Sequence, residues 1–225
     1  MFFFGPSFLL LIPAVIFALW TQAKMKKTYT EYSRVVSTRG LTGADVARLL
    51  LDSYNLGNVP VEKITGNLTD HYDPRERKLK LSAGVYAGDS LAALGVAAHE
   101  TGHAIQHKAG YFPMNIRQAI FPVASFGSTL AFPLFLIGFL FRTPMLMDIG
   151  ILFFIGALLF QVVTLPVEFD ASRRALTILE SRSYIAPQEK KGVKKVLNAA
   201  ALTYVAATAM AVMQLIRLLI LRGRR

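Results

Sequence analysis

The chain is 225 residues long, 53% hydrophobic and 17% charged, a balance far from that of an ordinary soluble domain. It has no cysteine, so disulfides and thiolate chemistry are excluded, and any bound metal must use His, Asp or Glu. The net charge of +11 sits largely beside apolar blocks, where it reads as membrane topology and lipid-headgroup contact; no nucleic-acid-binding motif accompanies it.

Four stretches approach the roughly 20 apolar residues that a helix needs to cross a bilayer. The first runs from Phe2 to about Trp20. It lacks a basic front end and has Lys24, Lys26 and Lys27 behind it, the reverse of a cleaved signal peptide, so residues 1–21 read as a retained anchor. In the polar stretch 22–118, Thr42-Gly43-Ala44-Asp45 has the form of a helix start, with a hydroxyl cap and a carboxylate three residues on. Val46, Leu49 and Leu50 give that helix an apolar face before Gly57 and Pro60 end it. Val61 to His71 and Lys78 to Ser82 flank the turn signal Tyr72-Asp73-Pro74-Arg75, and Lys78-Leu79-Lys80-Leu81 alternates as a half-buried strand does. A small β-hairpin is expected there, followed by a helix from about Ser90 to Lys108.

The second and third apolar stretches, Ala119–Phe141 and Met145–Leu165, are separated only by Arg142-Thr143-Pro144. A tight antiparallel membrane hairpin over 119–165 follows from that spacing. A polar segment, 166–198, comes next. The last apolar stretch, Ala199–Leu221, contains Gln214 and Arg217, the latter near enough to its end to snorkel, and 199–225 closes the chain as a helix with a basic tail. The polar stretches at about 21–118 and 166–198 carry 13 and 7 Lys/Arg, so the positive-inside rule puts both in the cytoplasm. Arg222, Arg224 and Arg225 then fall outside, against the rule. The final segment either crosses under the larger bias or lies in the interface.

His99-Glu100-Thr101-Gly102-His103 fits H-E-x-x-H on the expected helix. Histidines four apart stand one turn above each other, so both imidazoles can reach one zinc. Glu100 lies beside them, placed to hold the attacking water and take its proton. Gly102 weakens the helix, yet its missing side chain leaves room for another element to come close. A catalytic zinc takes three protein ligands and keeps one position open. Two crossings return the chain after His103 to the same side, where Glu168-Phe169-Asp170-Ala171-Ser172-Arg173 follows the third apolar stretch. Glu168 is the leading third ligand and Asp170 the runner-up; either could instead be a juxtamembrane acid paired with Arg173 or Arg174. His107 cannot share the metal, because three successive turns of one straight helix cannot surround an ion; it reads as a helix-end histidine. His71, and more weakly Tyr72 and Tyr86, are candidate transition-state contacts.

Leu68-Thr69-Asp70-His71-Tyr72-Asp73-Pro74, the segment Gly95-Val96-Ala97-Ala98-His99-Glu100-Thr101-Gly102-His103-Ala104-Ile105-Gln106, and Val167-Glu168-Phe169-Asp170-Ala171-Ser172 together resemble the bacterial YugP-like neutral zinc metallopeptidases over nearly the whole chain. The layout is also similar to the heat-shock membrane protease and CAAX prenyl protease group, gluzincins in which a Glu after a helical hairpin completes the zinc site. That resemblance implies Glu168 as third ligand. The wider group has an Asp four residues after this Glu, where this chain has Ser172, with Asp170 two residues earlier. The outer support of the metal is therefore expected to differ.

The expected fold is a mainly α membrane protein of about four transmembrane helices with a cytoplasmic zincin-like α+β metalloprotease domain carrying a small β-hairpin. The expected function is a zinc endopeptidase of the cell membrane with one Zn2+ per chain, held by His99, His103 and Glu168. Glu100 is the base, and Asp170, Ser172 and His71 stand around the site. Its partners would be the bilayer and membrane or membrane-proximal protein substrates, with an extended substrate added to the strand at about 78–83. An intramembrane protease with a lipid-buried H-E-x-x-H helix fits poorly, since residues 90–107 are too polar for a lipid-facing span. The alternative from another class is a membrane scaffold or quality-control adaptor with a structural zinc.

Overall fold

A computed structural model describes residues 6–223. Phe2 to Gly5, the start of the expected first span, and Arg224 and Arg225 of the expected basic tail lie outside the described residues. A 3₁₀ turn at Pro6–Phe8 leads into α1 (Leu11–Tyr32). Among the described residues three helices are long and apolar enough to cross a membrane, α5 (Phe112–Leu140), α6 (Pro144–Ser181) and α7 (Lys190–Gly223); α1 is not one of them. The chain divides into two units. One gathers Met1–Gln22, Pro113–Pro166 and Leu202–Arg225; the other gathers Ala23–Phe112 and Val167–Ala201.

Within the first unit, α5 and α6 form the expected tight hairpin. Arg142 takes a left-handed backbone (φ 54°) in the link, and the Thr143 N–H closes back on the Gly138 carbonyl at 2.8 Å. A Cβ at Gly150 would stand 2.7 Å from the Ala131 carbonyl oxygen, so glycine sets how closely these two helices approach. Phe135, Phe139, Met147, Ile151, Leu218 and Leu221 fill the space between α5, α6 and α7. Arg217 does not snorkel: it is buried, with its guanidinium 5.7 Å from the Phe8 ring centroid.

The second unit is built on caps and an apolar seam. α2 (Gly43–Ser53) begins with the expected capping box, in which the Thr42 hydroxyl accepts from the Asp45 N–H and the Asp45 carboxylate accepts from the Thr42 N–H at 2.9 Å. α4 (Leu91–Lys108) starts at Ser90, whose hydroxyl caps the Ala93 N–H. Val46 and Leu50 of α2 pack with Leu91, Leu94, Ala98 and Ile105 of α4, and with Ala175, Ile178, Leu179, Val193 and Leu197 from α6 and α7. At Gly102 a Cβ would lie 2.8 Å from the Ala171 carbonyl oxygen. The glycine of the H-E-x-x-H motif is therefore a place where α6 comes close to α4, as its missing side chain led us to expect.

The sheet differs from a simple hairpin. β2 (His71–Asp73) and β3 (Lys78–Ser82) are antiparallel as expected, but Val61 to His71 is not one strand. It breaks near Gly66 (φ 104°) and Leu68 (φ 56°), and β1 (Val61–Ile64) pairs in parallel with the other edge of β3. The order is β1-β3-β2, which makes β3 central. Both of its edges are taken, so the strand at 78–83 cannot accept a substrate by β-addition; β1 and β2 are the free edges. A one-turn helix, α3 (Ala83–Tyr86), connects the sheet to the loop before α4.

Candidate metal centre

Helical spacing puts His99 and His103 on one face of α4, their rings 4.7 Å apart and edge to face. α6 does not stop at its internal Pro166 but runs on to Ser181, and this continuation carries Glu168 against α4. Glu168 is 2% exposed, with its Oε2 3.2 Å from His99 Nε2 and 3.6 Å from His103 Nε2. The three donor atoms all lie within 4.8 Å of one another. A tetrahedral zinc about 2.1 Å from each ligand sets the ligands roughly 3.4 Å apart. The two imidazole-to-carboxylate spacings straddle that value, so the residues present fit the ion.

The outer support explains how the imidazoles are aimed. Gln106 is fully buried and donates through Nε2 to the Val167 carbonyl and to Asp170 Oδ2, both at 2.9 Å. Its Oε1 must therefore be the atom 3.0 Å from His103 Nδ1. An acceptor there keeps the proton on Nδ1 and leaves the Nε2 lone pair facing Glu168. Asp170 does not join the donor cluster. It anchors Gln106 and is bonded by Arg173 and by Arg174 Nε at 2.5 Å, the arginine pairing open to it from sequence. Ser172, on the turn after Glu168, stands 3.1 Å from His99 Nδ1.

Glu100, next to His99 in sequence, also meets the sheet. Its Oε2 accepts the Tyr72 N–H at 3.1 Å, which ties the carboxylate to the edge strand β2. Burial pushes its pKa up to about 7; the neighbouring His99 opposes this, while the charges of Glu168 and Asp70 add to it. The Tyr72 hydroxyl lies 2.9 Å from His107 Nδ1, so His107 belongs to a tyrosine contact and not to the donor cluster. Burial lowers the His107 pKa, with Arg77 contributing, and burial also raises that of Tyr72. His71 is exposed, with Nδ1 on the Thr69 carbonyl at 2.8 Å.

Gln106 escaped the sequence reading altogether. The available signal was its position three residues after His103, one turn on along the same helix. Replacing it with Leu strands a buried imidazole N–H and a carboxylate oxygen. Zinc affinity, measured by chelator competition, should fall about 10- to 100-fold; an unchanged affinity would show that Gln106 does not position His103.

The sequence profile of the family described as "Putative neutral zinc metallopeptidase" matches residues 7–223. A Bacillus subtilis (strain 168) protein named "Putative membrane protease YugP" is 47% identical over 217 residues, covering 96% of each chain. No solved structure matches the chain. With a profile spanning nearly its whole length and a relative this similar, the chain belongs to the YugP-like neutral zinc metallopeptidase family.

Proposed function

We propose that this protein is a membrane-embedded zinc endopeptidase that cleaves membrane or membrane-proximal proteins, with one Zn2+ per chain held by His99, His103 and Glu168. The observation that carries this reading is the convergence of two imidazoles and one carboxylate beside a separate carboxylate, Glu100, held by the edge strand. Among the described residues that cluster offers three donors, which suits a catalytic zinc with one open position better than a structural zinc closed by four ligands. Glu100 would also have no role in a structural site.

Zinc bound there supplies Lewis acidity, polarising the scissile carbonyl and making water acidic enough to react near neutral pH. The chain's own groups do the rest. Glu100 takes the proton of the attacking water and hands it to the leaving amine. One positioned carboxylate serves both halves of that transfer. The Tyr72 N–H fixes which way the Glu100 carboxylate faces, and Gln106 and Ser172 fix the two rings. β2 is the sheet edge beside Glu100, with its Tyr72 N–H already given to that carboxylate.

The arrangement in the cell follows from charge and hydropathy. The anchor at 1–21, the hairpin at 119–165 and the helix within 199–225 give four crossings of the cell membrane. The polar segments 22–118 and 166–198, which hold the site residues, face the cytoplasm. Purified protein should contain one zinc per chain and cleave a pool of membrane proteins. A chelator should abolish cleavage and added zinc should restore it. Zinc present with no cleavage of any pool would favour the scaffold with a structural zinc.

A further inference from the structure

Tyr72 joins Glu100 to a second feature of the same unit. Its N–H is on Glu100 and its hydroxyl on His107, and both Tyr72 and His107 line a groove of about 370 Å³ together with Asn55, Asn58, Arg77 and Lys108, among others. No Asp or Glu lines this groove. Lys108 Nζ is pinned at its rim by the carbonyls of Tyr54 and Asn55 at 2.6 and 3.0 Å. Arg77 is exposed and makes no hydrogen bond or ion pair among the described residues. The acids of its own turn are engaged elsewhere: Glu76 lies 3.1 Å from Lys80, and Asp73 accepts the N–H groups of Arg75 and Glu76.

Arg77 also holds an unusual backbone. It ends the β2–β3 turn at φ 53°, the left-handed region where glycine or asparagine is at ease and a long side chain is not. The turn thus keeps a strained arginine at the groove where a glycine would relax it. His107 follows Glu100 by seven residues, two turns of α4, or roughly 10 Å along the helix axis. An extended peptide covers that distance in about three residues.

We propose that this groove is a substrate subsite that binds a peptide carboxylate, with Arg77 as the charged partner and Tyr72, His107 and the asparagines as its polar lining. As a substrate site it rests on the peptidase reading, and it sets a preference for an acidic group about three residues from the scissile bond. The carboxylate is either an Asp or Glu side chain or the free end of a peptide.

The test uses the full-length protein in detergent, with fluorescent ten-residue peptides carrying Glu or Gln at one inner position, each with a free or an amidated C-terminus. Anisotropy in the presence of chelator reads the groove without hydrolysis; cleavage after zinc loading reads the enzyme. Wild type should bind the Glu peptides about tenfold more tightly than the Gln peptides, less so at high salt. Arg77→Gly relieves the left-handed strain, so it should melt within about 2 °C of wild type and lose the preference. Arg77→Glu should reverse the preference and bind the Gln peptides more tightly than the Glu peptides. Tighter binding of Glu than of Gln peptides assigns the pocket to an acidic side chain, and tighter binding of free than of amidated peptides, whatever the inner residue, assigns it to the chain end. Equal binding of all four peptides, or an unchanged preference in Arg77→Gly, overturns the proposal. A preference in binding with no cleavage in zinc keeps the anionic groove and removes the peptidase reading.

Discussion

Glu100→Gln should keep its zinc and lose hydrolysis by about 10²- to 10⁴-fold, the range in which a positioned general base contributes. The substitution changes little else. Glutamine has the same shape, its amide oxygen can still accept the Tyr72 N–H, and Glu100 is not part of the donor cluster. Zinc content measured alongside turnover separates this outcome from simple loss of the site. Hydrolysis within tenfold of wild type would remove Glu100 from the role of base.

The same variant has a second, opposite effect on the metal-free protein. In the fold the Glu100 pKa is pushed up to about 7, chiefly by burial, against about 4.5 in an unfolded chain. The folded state therefore binds more protons between those values, and stability falls as pH rises from about 4.5 through 7. Above pH 7 the ionised carboxylate costs the metal-free fold up to about 3 kcal/mol, and below pH 4.5 it costs nothing. Glutamine mimics the neutral acid at every pH. Metal-free Glu100→Gln should thus melt higher than wild type at pH 8 and equal to it near pH 4.5. A melting difference that does not change with pH would mean the carboxylate is not penalised by burial.

Which features were legible in the sequence depends on how local their cause is. The cap at Thr42 and Asp45 and the shared face of His99 and His103 arise within one or two helical turns, and both can be read from spacing. The approach of α6 at Gly102 was legible as room left by a missing side chain, though the identity of the neighbour was not. Sheet order was illegible, because the alternation of Lys78 to Leu81 is the same whether β3 is an edge or a centre; what decides is the path of the chain between Ile64 and His71. The continuation of α6 was hidden by the change from apolar to polar sequence at 166, which ends a membrane stretch without ending the helix. Gln106 was hidden for a related reason: an amide shows no role until Val167 and Asp170, about sixty residues later, orient it.

Glu168→Ala should lower zinc affinity by at least about 100-fold, whereas Asp170→Ala should keep the ion. These two acids are two residues apart on one helix and both buried, so the comparison cancels general damage to α6. Only Glu168 brings an oxygen between the two Nε2 atoms, and without it two imidazoles remain to hold the ion. Zinc held by two neutral ligands lacks both the third bond and the negative charge that offsets its own. Asp170→Ala leaves all three donors in place and frees the Gln106 amide together with the Arg173 and Arg174 side chains, so its effect should stay within the 10- to 100-fold expected of outer support. Removing one partner from a buried polar network also has a conformational cost. Both variants should therefore be checked for a cooperative melt before zinc is titrated against a chelator of known affinity. If Glu168→Ala binds zinc as wild type does while Asp170→Ala loses it, the third ligand is Asp170. The Arg173 and Arg174 pairs that now hold its carboxylate would then have to open for the metal to bind.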